Sequence, residues 1–173
     1  MSNSVIRGTA CVLGDYVSGD VVLPARHAFL PPEGMAEHVL EELDPTANAR
    51  VRAASVLVVG HAFGYGTGRE SSARAIRAAG VRVVIGGPCA RMFYRNAINN
   101  GVVVIDCPEL VRDGVTDGAE IEIDLDSGAV RCDGRSYTVA PLPPLIREIV
   151  SAGDLVEYGR LVLAKQEKER TDA

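Results

Sequence analysis

Four short apolar runs rich in β-branched residues mark the first part of the chain, a pattern typical of buried strands. They cover residues 5–13, 55–59, 81–85 and 102–105. Two segments between the later runs instead show helical spacing of their apolar residues, 71–79 and 89–100, the second with Met92 on its predicted inner face. Strand–helix–strand steps in succession predict parallel strands joined by right-handed crossovers.

Ahead of the second strand, the pattern predicts a loop and two helices. Residues 25–34 form a loop bounded by prolines, and residues 35–43 form an amphipathic helix with His38 at its surface. A short second helix then reaches about Arg52.

The pattern changes after Pro108, where apolar and charged residues alternate. Three antiparallel strands separated by Asp-Ser-Gly and Asp-Gly turns are predicted at residues 119–125, 129–132 and 136–139. A helix over residues 143–152 and a last helix from Asp154 to about Lys165 follow. Because no repeat or linker interrupts this order, we predict a single α/β domain over residues 1–165 and a polar, frayed tail over residues 166–173.

The connection between the strand at 55–59 and the helix at 71–79 is rich in glycine. Gly64, Gly66 and Gly68 alternate there, and Arg69 follows directly. Glycine allows a ligand to approach the backbone closely, and the unpaired N–H groups at a helix N-terminus favour an anion. Arginine can hold a carboxylate or a phosphate through two parallel hydrogen bonds. These residues predict either a small-anion site or a tight structural turn.

Two well-known nucleotide-binding patterns do not fit this connection. A dinucleotide fingerprint needs Gly-x-Gly-x-x-Gly and an acidic residue about twenty positions later, but the next strand ends in Gly86 and Gly87. A P-loop needs Gly-Lys-Ser or Gly-Lys-Thr, and this connection has no lysine.

Three stretches in a fixed order carry recognisable motifs. Residues 63–70 read Phe-Gly-Tyr-Gly-Thr-Gly-Arg-Glu, residues 14–24 read Gly-Asp-Tyr-Val-Ser-Gly-Asp-Val-Val-Leu-Pro, and residues 89–101 read Cys-Ala-Arg-Met-Phe-Tyr-Arg-Asn-Ala-Ile-Asn-Asn-Gly. Together they resemble the small subunit of 3-isopropylmalate dehydratase and the matching C-terminal swivel domain of aconitase. The resemblance covers most of residues 8–107.

This resemblance implies a swivelling β/β/α domain, aconitase C-terminal-domain-like, with a mixed sheet and flanking helices. It implies a hydro-lyase that dehydrates or isomerises a hydroxy-dicarboxylate such as 3-isopropylmalate or a related alkylmalate, as in leucine biosynthesis. It also implies a large partner subunit that carries a [4Fe-4S] cluster, in a heterodimer or heterotetramer. For this chain itself we expect no cofactor and no metal ligand.

The resemblance also assigns roles to individual residues. Thr67 matches the serine that acts as the base, and Arg69 matches the arginine that binds a substrate carboxylate. Gly66 and Gly68 contribute backbone to the substrate site, and Arg26 is a candidate for a second carboxylate contact. A hydroxyl can act as a base only where nearby N–H groups and cations stabilise its anion.

The motif departs from the family pattern at four of these places. Gly68 replaces a second serine, Ser71 replaces a histidine, and His27 and Ala28 follow Arg26 where the family often has Tyr-Leu. Three interpretations therefore stay open: an active variant with an altered substrate, the ordinary isopropylmalate enzyme, or a non-catalytic anion-binding or assembly subunit with a disabled base site. A lone metabolite sensor is a fourth, weaker interpretation.

Polar residues near these motifs allow two roles each. Asp15 and Asp20 are either ligands or, more commonly in such loops, caps of the backbone. Arg91, Arg95, Asn96 and Asn99 of the 89–100 helix either border the active site or the partner interface, or form a polar outer face.

Composition and charge narrow the possible partners and compartment. A net charge of −5 makes nucleic acid an unexpected partner, and no apolar run has the length of a membrane span. The four cysteines lack Cys-x-x-Cys spacing and are predicted to be buried and reduced. With no pattern of a signal peptide at the first residues, we expect a cytoplasmic protein.

Overall fold

A seven-stranded mixed sheet forms the centre of the protein, in a computed structural model that describes residues 4–171. The strand order is β4-β3-β2-β1-β5-β6-β7. The strands are β1 (Val5–Val12), β2 (Val56–Val59), β3 (Val83–Gly86), β4 (Val103–Asp106), β5 (Glu120–Asp124), β6 (Ala129–Cys132) and β7 (Arg135–Thr138). β1 to β4 are parallel and β5 to β7 are antiparallel. The sequence predicts the parallel arrangement of β2 to β4 and the antiparallel arrangement of β5 to β7, but it does not predict the orientation of β1.

Eight α-helices and one 3-10 helix are found in the described part of the chain. They are α1 (Gly19–Val22), the 3-10 helix (Ala25–His27), α2 (Pro32–Glu37), α3 (Ala47–Ala53), α4 (Ser71–Ala78), α5 (Arg91–Asn99), α6 (Pro108–Arg112), α7 (Pro144–Ala152) and α8 (Leu155–Thr171). The α4 and α5 helices follow parallel strands, which confirms the predicted strand–helix–strand steps.

Two hydrophobic clusters cover the two faces of the parallel strands. In β2, Leu57 and Val59 belong to the cluster with Ile76 of α4 and Phe93 of α5, and their neighbours along the strand belong to the other. Burial on both faces explains why the parallel strands are continuous apolar runs without alternating polar residues. The segment that follows the carboxyl end of β2 and leads to α4 therefore starts at the edge of a well-packed core.

Three sequence-based predictions are wrong in detail. The helix predicted at 35–43 runs instead from Pro32 to Glu37, because proline favours the first helical turn and Leu40 adopts a left-handed φ of 59°. Met92 is 45% exposed and does not face inward. The last helix continues to Thr171, so residues 166–171 are helical where a frayed tail was predicted. The domain limit at 165 stays a prediction.

None of the helices within residues 4–171 combines the length and the apolar character that a membrane crossing requires.

Candidate active site at the glycine-rich turn

The glycine-rich turn joins β2 to α4 and is fixed to an early loop of the chain. Gly64 donates its backbone N–H to the Val17 carbonyl at 2.8 Å, and Gly19 donates to the Tyr65 carbonyl at 2.8 Å. Ser18 and Tyr65 form a parallel bridge. Two of the three family-like motifs thus meet through their backbones, although they lie far apart in sequence.

Gly64 is required by the packing beneath the turn. Its φ is +77°, and a Cβ placed on it would lie 2.4 Å from the Cγ of Phe93. Phe93 contacts Phe63 edge to face, with ring centroids 5.0 Å apart. The turn backbone therefore rests directly on a buried aromatic pair, which limits its movement.

Thr67 has its hydroxyl and its methyl group held in different ways. The hydroxyl oxygen accepts the backbone N–H of Arg69 at 3.2 Å. The methyl carbon Cγ2 faces Gly19 so closely that a Cβ on Gly19 would lie 2.4 Å from it. The methyl that distinguishes threonine from serine therefore has a place in this fold, next to a residue without a side chain.

Arg69 forms an ion pair with Asp20, in the first turn of α1. Both side chains are partly exposed, 40% and 55%, so the guanidinium remains open to a solute. The sequence allows Asp20 only as a ligand or a cap, because no spacing pattern links two residues that lie 49 positions apart. Asp15 does act as a cap, because its carboxylate accepts the His61 backbone N–H at 2.6 Å.

The α5 helix and the residue that follows it bind the turn through two amide side chains. Asn96 donates to the Gly68 carbonyl at 3.2 Å, and Asn100 donates to the Glu70 carboxylate at 2.8 Å. Gly66 adopts φ +86° and faces Ser18. The polar side of α5 thus borders the turn at Asn96, and Asn100, which directly follows the helix, adds a second contact; the sequence left this role open.

Two serines begin α4, and only one of them has a partner. Ser72 donates to the Gly19 carbonyl at 2.8 Å, which ties α4 to the early loop. The Ser71 hydroxyl is buried and has no hydrogen-bond partner within residues 4–171. A buried hydroxyl without a partner keeps its desolvation cost.

We expect the Ser71→Ala variant to be about 1 kcal/mol more stable than the unchanged chain, because it removes this unpaired hydroxyl and adds helix propensity. Urea unfolding of the isolated chain measures the difference. Ser72→Ala is the matched control and should lose stability, because it breaks the bond to Gly19. A loss of stability in S71A would mean that the hydroxyl has a partner in solution.

Arg26 lies on the 3-10 helix and is bound to two carboxylates of the following segment. Its guanidinium forms ion pairs with Glu41 and, over 2.6 Å, with Glu42. Within residues 4–171, no hydrogen bond or ion pair joins Arg26 to Thr67 or Arg69. The structure brings Thr67, Arg69 and the glycines together but gives Arg26 a separate network.

The cysteines do not fit an iron–sulfur cluster. Cys11, Cys107 and Cys132 are buried, and all four thiols are free. Burial raises the pKa of Cys89 to about 12 and that of Cys11 to about 11, which disfavours the thiolate that a cluster requires. Among the described residues, no cysteine belongs to a group of three ligand-type side chains that lie close together.

Comparisons with known proteins show which family this chain is similar to. Residues 34–110 match the family model of the aconitase C-terminal domain. The chain is 36% identical over 165 residues to the 3-isopropylmalate dehydratase small subunit of Thermodesulfovibrio yellowstonii, covering 94% of this chain and 98% of the relative. It is 42% identical over 156 residues to the subunit of the same name in Pyrobaculum aerophilum, covering 88% and 96%.

The fold matches a solved structure of the same group. A crystal structure of 3-isopropylmalate dehydratase from Methanocaldococcus jannaschii superimposes with a TM-score of 0.86 at 33% identity. The match covers 95% of this chain and 99% of that chain. The predicted swivel fold, with its mixed sheet and flanking helices, is therefore confirmed.

Proposed function

Because the chain belongs to the family of 3-isopropylmalate dehydratase small subunits, we propose that its glycine-rich turn is the part of the hydro-lyase active site that this subunit supplies. The protein is accordingly the small subunit of a hydro-lyase of the isopropylmalate dehydratase type. The observation that supports the site is the meeting of the Thr67 hydroxyl, the Arg69 guanidinium and the α4 N-terminus at one turn.

The reaction removes water from adjacent carbons of a hydroxy-diacid. A base takes the proton from the carbon next to a carboxylate, the C–H electron pair becomes the C=C bond, and the hydroxyl leaves the neighbouring carbon with its bonding pair as hydroxide. The proton on the base and the hydroxide together make up the one water that is removed. We assign the proton transfer to this chain. A [4Fe-4S] cluster belongs, in our proposal, to a large partner subunit, because the thiols of this chain do not fit one.

Thr67 is the proposed base, and the turn supplies what its anion needs. The Arg69 N–H already points at the hydroxyl oxygen, and α4, whose N-terminal end carries the positive end of the helix dipole, begins four residues later at Ser71. The Arg69 side chain adds a positive charge two residues away. These three features stabilise an alkoxide, and the Cγ2 contact with Gly19 limits the side-chain rotamers that the base can adopt.

Arg69 is the proposed ligand for a substrate carboxylate, and Asp20 orients it. A substrate carboxylate would share the guanidinium with Asp20 or displace it, and the exposed fraction of both side chains leaves room for that exchange. Gly66 and Gly68 present backbone beside this position. Arg26 completes the proposed set as a second carboxylate contact, which requires it to leave Glu41 or Glu42.

The remaining assignments concern the setting of the enzyme. The name of the relatives implies a large subunit, and we propose a heterodimer or heterotetramer with it. The free cysteines suit a reducing compartment, so we place the protein in the cytoplasm. A disabled anion-binding or assembly subunit is not favoured, because the base hydroxyl and the arginine are both present.

Anaerobic co-purification with the large subunit tests the function directly. The complex should be brown and should hydrate one member of a panel of unsaturated dicarboxylates, which names the substrate class. A complex that forms but hydrates none of the acids would indicate that this chain is a non-catalytic binding subunit. Failure of this chain to co-purify with the large subunit would contradict the subunit assignment.

The contact between Gly19 and Thr67 predicts a suppressor pair. We expect Gly19→Ala to lower kcat about tenfold or more, because its Cβ must displace the Thr67 methyl group. The φ of Gly19 lies outside the left-handed region, so alanine is opposed by close contacts alone: chiefly the Thr67 methyl at 2.4 Å and, less severely, the Ser72 hydroxyl oxygen at 3.3 Å. Adding Thr67→Ser removes the methyl and should restore most of the rate. Equal activity of G19A and the unchanged chain would separate Gly19 from the base.

A further inference from the structure

Three side chains away from the glycine-rich turn meet in a compact cluster. His27 lies at the end of the 3-10 helix, and His38 and Glu41 lie in the segment that follows α2. His27 Nε2 is 2.9 Å from Glu41 Oε1, and His38 Nδ1 is 2.6 Å from Glu41 Oε2. The ligand-type atoms of all three lie within 4.8 Å of one another, which holds for no other three His, Cys, Asp or Glu residues between 4 and 171.

We propose that His27, His38 and Glu41 bind a divalent transition-metal ion of the zinc class. Two imidazole nitrogens and one carboxylate oxygen suit Zn²⁺, Co²⁺ and Ni²⁺. Metal–ligand bonds of about 2.0–2.2 Å place the ligand atoms about 3.4 Å apart in a tetrahedral site, and both contacts of Glu41 are already shorter than that. The three side chains are 16%, 32% and 26% exposed, so water can complete the coordination.

The backbone that carries two of the ligands is held firmly. Asn48 donates to the carbonyls of Ala36 and Val39 at 3.0 and 2.8 Å, which fixes the end of α2 next to His38. Leu40 is fully buried in a left-handed conformation, and this reversal returns Glu41 toward His38. Leu40 thus keeps a strained backbone conformation because it is buried, and it lies between two of the ligands in sequence. Strained residues held in place by their surroundings are concentrated at functional sites.

The two imidazoles lie face to face, with centroids 3.6 Å apart and planes inclined by 3°. In this state both rings share one carboxylate. Metal binding requires each nitrogen that faces Glu41 to carry a lone pair, so the proton of the neutral ring occupies its other nitrogen. The rings must also turn out of their parallel stack so that the two lone pairs converge on one ion.

Arg26 and Glu42 are the charged neighbours of the cluster. Arg26 forms ion pairs with Glu41 and with Glu42. A bound cation competes with Arg26 for the Glu41 carboxylate. Arg26 then keeps only its ion pair with Glu42. Metal binding would therefore free one side of the Arg26 guanidinium. The metal site itself does not depend on the proposed catalytic function.

Titration of the full chain with Co²⁺ and Zn²⁺ tests the proposal, by visible absorption and by calorimetry. We expect one ion per chain with saturation below about 100 µM. His27→Ala, His38→Ala and Glu41→Gln should each weaken binding at least about tenfold. His61→Ala is the matched control, because His61 is the third histidine of the chain and lies outside the cluster. Its affinity should be unchanged.

Three results would overturn the site. The first is the lack of saturable binding, and the second is equal affinity of H38A and H61A for the ion. A sulfur-to-cobalt charge-transfer band would assign the ion to a cysteine and count against the cluster in the same way. Thermal unfolding with chelator shows whether each variant is folded, and His38→Gln replaces H38A if the alanine variant is not.

Discussion

The Thr67→Val variant, reconstituted with its large subunit, should lose proton exchange at the substrate carbon by about 10³-fold. Valine keeps the branched shape and the methyl that faces Gly19, but it has no hydroxyl to form the base. Assembly and stability should change little, since Thr67 is only half-buried. Deuterium uptake into the substrate from D₂O, followed by NMR, measures the proton transfer apart from loss of water.

The matched variant for this experiment is Thr67→Ser, which keeps the hydroxyl and removes the methyl. We expect its exchange rate to stay within about tenfold of the unchanged chain, because Arg69 can still donate its N–H to the serine oxygen. Exchange that survives in T67V would assign the base to another group. The turn would then serve to bind the substrate and not to move its proton.

The sequence predicts the sheet well because each strand has its own local signal. The parallel strands are apolar runs and the antiparallel strands alternate, so period and turn residues identify them without tertiary information. The predictions fail where the local structure is decided by contacts between residues that are distant in sequence. The Leu40 reversal ends α2 early although residues 35–43 have helical spacing, because packing overrides local propensity.

In the candidate site, too, the features with a local sequence signal are predicted and the contacts between distant residues are not. The glycines and Arg69 are recognisable from their order, but their partners are not. Asp20 reaches Arg69 from 49 positions away, and Asn96 reaches Gly68 from 28 positions away. The sequence does not predict the cluster of His27 with His38 and Glu41 either. The cluster forms only because the 3-10 helix packs beside the turn that follows α2, and this packing has no local signal in the sequence.

The Arg69→Lys variant should lower kcat/KM about 10²-fold, with most of the change in KM. A lysine ammonium keeps the charge but cannot form two parallel bonds to a carboxylate, and it also loses the geometry of the pair with Asp20. Steady-state kinetics of the reconstituted complex provide both parameters. Arg77→Lys is the control, because Arg77 is an exposed arginine on α4 that has no part in the proposed site.

A double-mutant cycle with Asp20→Asn separates substrate binding from positioning. If Asp20 acts by orienting Arg69, R69K and D20N break the same ion pair, so the double variant should lose less than the two single variants together. Strict additivity would mean that Asp20 acts independently of Arg69. Normal kinetics in R69K would remove the guanidinium from the substrate site, and the binding of the carboxylate would then depend on the backbone N–H groups at the start of α4.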